Sequence, residues 1–217
     1  MDNPTKPSAL LLISPQCSHC PAVMEGLLKL LKSNKLGKVE IVNLFEHPEI
    51  AAELGVRSVP WTRIGPFDIE GAHSYAELEQ WAEEAAQPVS TTHYYRHLLE
   101  NRQLEKAISL IKAAPDSLTD LLPLLASVET PISIRIGVGA VLEEFTGEEP
   151  LNWIVPGLIT LTESEQQQIR ADACHYLSLS NDHAALTAIR GLENDPDPEI
   201  REIAAESAAA LSARLKQ

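Results

Sequence analysis

The chain has 217 residues, 44% of them hydrophobic and 22% charged, which is typical of a globular protein with one large core or two smaller ones. Its net charge of −14 at pH 7 leaves no basic surface to neutralise phosphates, so nucleic acid and anionic membranes are not expected partners. No apolar run approaches the roughly 20 residues that span a bilayer, and the first residues lack the pattern of a secretory signal. Three cysteines predict no disulfide scaffold and favour a cytoplasmic location.

The first 85 residues alternate between strand-like and helix-like patterns. The predicted elements are a strand at 9–13, a helix from Pro21, a strand at 39–44, a helix at 48–54, strands at 61–64 and 67–70, and a helix from 75 to about 86. The first strand is an unbroken apolar run, which indicates burial on both faces. Ser74 with Glu77 predicts a capping box at the start of the last helix. The resulting order, βαβαββα, is a specific topology.

Two cysteines, in the motif Cys17-Ser18-His19-Cys20, lie between the first predicted strand and the first predicted helix. The free N–H groups and the dipole at a helix N-terminus stabilise a thiolate. We therefore expect Cys17, at the helix start, to be the nucleophile and Cys20, one turn further on the same face, to resolve the mixed disulfide. A protonated His19 would add to the stabilisation, and Pro21, which a first helical turn tolerates, is the second residue expected to modulate the pair.

The same pair of cysteines leaves two other interpretations open. One is a pair of inert, partly buried thiols, and the other is a site for zinc or an iron–sulfur cluster. Structural zinc requires four ligands, and only His19 and His47 lie near the two cysteines in the sequence. A metal site would therefore need a second copy of the chain, and we predict neither a metal nor a cofactor.

Residues 9–85 resemble the thioredoxin-like superfamily, through the strand, the CxxC motif, the helix, and Val56-Arg57-Ser58-Val59-Pro60 before a hairpin. The resemblance implies an α/β thioredoxin-like fold with a cis peptide bond before Pro60, facing the two cysteines. The Val59 backbone would then bind an extended substrate, so Val59 and Pro60 are the predicted substrate-binding residues. With Pro21 after the second cysteine, the domain is most similar to the glutaredoxin-like domains of alkyl hydroperoxide reductase flavoproteins and archaeal disulfide oxidoreductases.

Two features depart from the thioredoxin pattern. Gln16 stands where a tryptophan usually precedes the motif, and the first predicted strand has no acidic residue to accept a proton. The redox pair is retained, but the sequence does not indicate the electron donor.

Beyond residue 92 the pattern is helical and repetitive. Ile134-Arg135, Ile169-Arg170 and Ile200-Arg201 each open an alanine-rich helix, and a more variable helix precedes each of them, at 118–126, 151–160 and 184–193. The intervals of 35 and 31 residues are typical of helix pairs that bury their faces by stacking on neighbours. We expect the three arginines to bond carboxylates or carbonyl groups between neighbours, and Cys174 to be a core residue.

Residues 116–217 resemble HEAT repeats, through these helix openings and the turn Asn194-Asp195-Pro196-Asp197-Pro198. The resemblance implies an all-α HEAT-like solenoid, an architecture that presents an extended surface to other proteins. The predicted domains are a thioredoxin-like domain at 1–87 and a HEAT-like helical repeat domain at 93–217, with a linker at about 87–92.

Together these features predict a cytoplasmic thiol–disulfide oxidoreductase. Its CxxC pair would reduce or exchange disulfides in a protein partner docked on the helical repeats, with electrons from an unidentified donor. The alternatives are a non-catalytic protein-interaction adaptor and a CxxC-dependent module that binds a metal ion or an iron–sulfur cluster.

Overall fold

The computed structural model describes residues 6–86 and 91–216. The chain divides into two compact units, residues 1–89 and residues 90–217. Most of the predicted linker, residues 87–90, lies outside the described residues. Thr92, at the predicted end of that linker, is already the first residue of a helix in the second unit.

The N-terminal unit is a four-stranded mixed sheet with three helices. Its elements are β1 (Ser8–Ile13), α1 (Cys20–Lys32), β2 (Lys38–Asn43), α2 (Pro48–Glu53), β3 (Trp61–Ile64), β4 (Phe67–Glu70) and α3 (Tyr75–Ala85). The strand order is β2-β1-β3-β4, with β1 parallel to β2 and antiparallel to β3. The predicted order βαβαββα is therefore confirmed, with element bounds that differ by at most one residue.

One face of the sheet forms the core beneath α1 and α3. The strand register aligns Leu11 with Thr62 and Thr62 with Ile69, and all three side chains are fully buried. On the same face, the ring of Phe67 lies 5.3 Å from that of Trp81 in α3. This face therefore fixes α3 on the sheet through aromatic packing, which contributes beyond area burial alone.

The start of α3 is held by the capping box that the sequence predicts. The Oγ of Ser74 accepts a hydrogen bond from the Glu77 N–H at 3.3 Å, and the Glu77 carboxylate accepts one from the Ser74 N–H at 2.7 Å. Two backbone donors that the helix leaves unpaired are thereby satisfied.

The opposite face of the sheet buries Trp61, which is 2% exposed. The guanidinium of Arg63 lies 5.1 Å from the centre of the Trp61 ring and also donates two hydrogen bonds to Asp68 on β4. Trp61 is therefore a core residue of this domain.

The C-terminal unit is helical throughout residues 91–216, the range that the structure describes for it. Its elements are α4 (Thr92–Glu100), α5 (Leu104–Ala113), a 3-10 helix (Pro115–Leu121), α6 (Leu122–Ala126), α7 (Ile132–Glu144), α8 (Glu149–Asn152), α9 (Val155–Leu161), α10 (Gln167–Leu177), α11 (His183–Leu192) and α12 (Pro198–Arg214). The three helices that carry an Ile-Arg pair are α7, α10 and α12, as predicted.

Two of the predicted preceding helices are interrupted. The helix predicted at 118–126 changes from 3-10 to α geometry, and Pro123 is the second residue of α6. The helix predicted at 151–160 breaks between α8 and α9, where Pro156 is the second residue of α9. Proline lacks an N–H and suits the first turn of a helix, so each proline marks a new helix start.

Arg135 and Arg170 join neighbouring repeats as the sequence predicts, whereas Arg201 bonds the turn before its own helix. The buried Arg135 donates two hydrogen bonds, at 2.6 and 2.9 Å, to Asp172 of α10. Arg170 binds both carboxylate oxygens of Asp195, at 2.8 and 3.0 Å, and Arg201 donates to the Asp195 carbonyl at 2.7 Å. These charge-assisted bonds set the stacking of successive helix pairs.

Candidate redox site

A turn after β1 places the first cysteine at the end of the sheet where β1 finishes. The Cys17 N–H donates to the Ser14 carbonyl at 3.0 Å, and the Ser14 hydroxyl donates to the Gln16 side chain at 2.8 Å. Cys20 is the first residue of α1, so Cys17 lies three residues before the helix rather than at its start. The sequence-based placement of Cys17 is therefore corrected by one turn, because residues 14–17 form a turn of their own.

The two sulfur atoms form a disulfide. The Sγ–Sγ distance is 2.06 Å and the Cα atoms are 5.5 Å apart. The backbone N–H of Cys20 donates to the Cys17 sulfur at 3.0 Å. Cys17 is half-buried, whereas Cys20 is only 4% exposed. Cys17 is therefore the sulfur that a partner can reach, and a backbone donor at the helix start is already directed at it.

The residues between and after the cysteines occupy the N-terminus of α1. His19 is exposed at the N-cap position, where its side chain makes no capping hydrogen bond. Pro21 is the second residue of the helix, which confirms its place in the first turn. The structure places both residues beside the disulfide, and their modulating roles stay predictions.

Val59 and Pro60 lie at the same end of the sheet as the disulfide. The peptide bond between them is cis, as the resemblance implied. Leu12 of β1 pairs with Trp61 of β3 in the antiparallel register. Pro60, the residue before Trp61, therefore lies beside the end of β1, where the cysteine loop begins. Val59 is half-buried and Pro60 is buried. The structure thus brings the predicted substrate-binding residues and the cysteines to one end of the sheet.

A small notch adjoins the disulfide on another side. It has a volume of about 210 Å³ and is lined by Ile13, Ser14, Pro15, Cys17, Cys20, Pro21 and Met24. Sequence reasoning did not select Ile13 or Met24 for this site. The available signal was helical spacing, because Met24 follows Cys20 by four residues and shares its side of α1.

The third cysteine has a different environment. Cys174 is fully buried in α10, as predicted for a core residue. Burial raises the pKa of the Cys174 thiol to about 11, because a thiolate would lose its hydration, while a hydrogen bond with Ser207 opposes that shift. Cys174 therefore lacks the access and the thiolate population of a reactive cysteine.

No three His, Cys, Asp or Glu side chains in residues 6–86 and 91–216 are grouped so as to hold a metal ion. Within the same ranges, no helix is both long enough and apolar enough to cross a membrane.

A groove in the helical unit lies between α10 and α12. Its volume is about 480 Å³, and its lining includes Asp172, His175, Ile203, Glu206 and Arg214. It combines apolar side chains with both signs of charge, as protein-binding surfaces commonly do.

Comparison with known proteins agrees with the geometry of the N-terminal unit. Residues 9–83 match the family model of the thioredoxin domain. This part of the chain is therefore a thioredoxin domain with a Cys17–Cys20 pair, followed by a helix-rich region. The chain has no match among curated proteins.

Proposed function

We propose that the protein is a thiol–disulfide oxidoreductase that acts on a protein partner through Cys17 and Cys20. The observation that carries the proposal is the arrangement of the two sulfurs, with an accessible Cys17 bonded to a buried Cys20 at the start of α1. Exchange requires one thiol that a partner can reach and a second thiol within bonding distance of the first. Both requirements are met within a thioredoxin domain.

In the reductive direction, the Cys17 thiolate attacks one sulfur of the partner disulfide and expels the other partner sulfur as a thiolate. The Cys20 thiolate then attacks the Cys17 sulfur, closes the Cys17–Cys20 bond and releases the second partner thiol. Two electrons pass from the protein to the partner, and the protons of the two cysteine thiols end on the partner thiols. A dithiol reductant returns the pair to the reduced state. The Cys20 N–H, 3.0 Å from the Cys17 sulfur, stabilises the attacking thiolate.

The backbone of Val59 holds the partner beside the cysteines. Val59 precedes the buried Pro60 at the end of the sheet and is itself half-buried. An extended partner segment would pair with its backbone as an added strand does. His19, exposed at the helix N-cap, adds positive charge near Cys17 when it is protonated.

The helical repeats would select the partner. In the groove between α10 and α12, Arg214 donates hydrogen bonds to the carbonyls of Ser178 and Ser180, so its charge is directed into the unit. Glu206 is exposed at the same groove. A carboxylate beside apolar side chains favours a partner segment that carries both basic and apolar residues.

The redox step is tested by alkylation and mass measurement across a dithiothreitol or glutathione series. We expect Cys17 and Cys20 to change together as one two-electron couple, with Cys174 unchanged. Thiols that never pair under oxidising conditions would overturn the proposal and favour the non-catalytic adaptor.

The partner is tested with a Cys20→Ser variant, which leaves the mixed disulfide on Cys17 unresolved. We expect it to retain disulfide-linked proteins in cells that a Cys17→Ser variant does not retain. Equal capture by both variants would overturn protein-disulfide exchange.

Docking on the groove is tested by adding Glu206→Lys to the trapping variant. We expect the capture rate to fall by up to about fivefold, the scale of one exposed charge contact. The matched control is Glu193→Lys, an exposed carboxylate at the end of α11 outside the groove lining. If both substitutions have the same effect, docking on the groove is wrong while the redox proposal stands.

A further inference from the structure

The notch beside the disulfide is made of apolar and small polar residues. Two of its seven lining residues are the cysteines themselves, and the other five are Ile13, Ser14, Pro15, Pro21 and Met24. None of these lining residues carries a charge. A cavity of about 150 Å³ with apolar walls accommodates a benzene ring, so about 210 Å³ is enough for an aliphatic side chain.

The notch and the Val59–Pro60 segment flank the disulfide from different sides. A Cβ placed on Gly26 would lie 2.7 Å from Leu78 of α3, so Gly26 marks the side of α1 that faces α3. Met24 is two residues earlier, about 200° around the helix, and therefore points away from α3. The lining of the notch includes neither Val59 nor Pro60, so the notch is separate from that segment.

We propose that this notch receives an apolar side chain next to the reacting cysteine of the partner, and that Met24 is a specificity-determining residue. The inference rests on the proposed function and names its substrate class, a protein or peptide disulfide with an apolar neighbouring residue. The notch is lined by both cysteines, so it lies directly beside the sulfur that attacks the partner. During the exchange, the partner side chain nearest to the notch is therefore that of the residue next to the attacked cysteine. Its uncharged lining offers no partner for an acidic side chain, which would lose hydration without compensation.

The flexible, unbranched side chain of Met24 suits this role because it adapts to apolar groups of different shape. A lysine at this position would place a strongly hydrated charge at the notch and remove its preference for apolar groups. A leucine would keep the volume and the apolar character of the wall.

The test uses the reduced Cys20→Ser protein and two synthetic peptides that each carry one cysteine activated as a thionitrobenzoate mixed disulfide. The peptides differ only in the residue next to the cysteine, leucine in one and aspartate in the other. The Cys17 thiolate attacks the peptide sulfur, forms a Cys17–peptide disulfide and releases one thionitrobenzoate ion, so no further reductant is needed. The release rate is followed by absorbance.

We expect the leucine peptide to react about tenfold faster than the aspartate peptide, the discrimination typical of an apolar pocket. Met24→Lys, in the same background, should bring the ratio of the two rates close to one, and Met24→Leu should preserve it. Leu28→Lys is the matched control, because Leu28 is exposed on the same helix one turn further on and lies outside the notch lining. It adds the same charge and should leave the ratio within about twofold of the starting value.

The outcomes separate this inference from the proposed function. Equal rates for the two peptides, or an equal effect of Met24→Lys and Leu28→Lys, would overturn the proposed role of the notch in substrate selection. Neither result would contradict disulfide exchange. Rates that do not exceed those of a free cysteine peptide, for both substrates, would overturn the proposed function and the notch with it.

Discussion

The two units place their cysteines in opposite environments. In the thioredoxin domain, the Cys17–Cys20 pair lies at the end of β1, where one sulfur is accessible and accepts a backbone hydrogen bond. In the helical unit, Cys174 is fully buried, and Arg135 and Arg170 bond carboxylates within the unit. The same side-chain type is therefore accessible after a strand in one unit and part of the core in the other. The difference lies in whether the cysteine stands in a turn before a helix, as Cys17 does, or in the middle of a packed helix, as Cys174 does.

The sharpest test of this contrast is the reactivity of Cys17 against that of Cys174. Burial raises the pKa of the Cys174 thiol to about 11, so about one molecule in 10⁴ is a thiolate at pH 7, against about 3% for an ordinary cysteine. After reduction, we expect iodoacetamide to modify Cys17 at least about 100-fold faster than Cys174, measured by peptide mass spectrometry. If native Cys174 reacts as fast as it does in urea-unfolded protein, burial does not protect it and the contrast between the two cysteines is wrong.

The next largest effect concerns the ion pair between Arg170 and Asp195. Asp195→Asn removes the charge partner of a largely buried guanidinium and should lower the free energy of unfolding of the helical unit by about 3 kcal/mol. Urea unfolding followed by circular dichroism at 222 nm measures the change. The nearby exposed Glu193→Gln should change it by less than about 0.5 kcal/mol, and equal effects would show that the pair does not stabilise the repeats.

The same pair predicts a pH dependence. The Arg170 guanidinium lowers the pKa of the Asp195 carboxyl below its usual range, so the folded state holds this carboxylate charged more strongly than the unfolded state does. Its stabilisation is fully present above about pH 4, the unfolded pKa, and is lost as the pH falls through the lower folded pKa.

The measurement is the difference in unfolding free energy between the natural chain and Asp195→Asn. We expect it to be constant from pH 5 to pH 7 and to shrink below about pH 4. A difference that grows on acidification would have the wrong sign for this pair.

The smallest effect belongs to the thioredoxin domain, where the capping box at α3 has a local role. Ser74→Ala removes the hydroxyl that accepts the Glu77 N–H and should lower the free energy of unfolding of this domain by about 1 kcal/mol. Hydrogen exchange of the amides in α3 measures it. Ser58→Ala, at an exposed serine outside the cap, serves as the control, and equal changes for both variants would contradict the capping role.

Much of the fold follows from local patterns in the sequence. The order βαβαββα, the Ser74–Glu77 capping box and the helices that carry Arg135 and Arg170 were all predictable, because apolar periodicity and caps act over a few residues. The breaks in the helical unit were less visible. Pro123 and Pro156 each stand at the start of a helix that divides a longer predicted helix in two. Pro21 also stands at a helix start, but there the helix was predicted to begin. Local sequence does not separate these cases, since tertiary packing decides which segments join.

The site was predicted in part for the same reason. Cys17 and Cys20 are recognisable from their spacing between a strand and a helix. The turn at residues 14–17, which puts Cys17 before the helix, depends on the Ser14 carbonyl that its N–H reaches. The contribution of Met24 and Ile13 to one notch depends on how α1 lies against the end of β1.

The sequence by itself determined the cysteine pair, the alternation of strands and helices and the repeated Ile-Arg helices, because each is encoded in spacing along the chain. Only the tertiary structure decided which sulfur is accessible, which arginine meets which carboxylate and where a notch opens beside the disulfide. Those properties arise from groups far apart in the sequence, such as Arg135 and Asp172, which become neighbours only when the helices stack. Burial and contact are properties of the packed chain, and no local pattern encodes them alone.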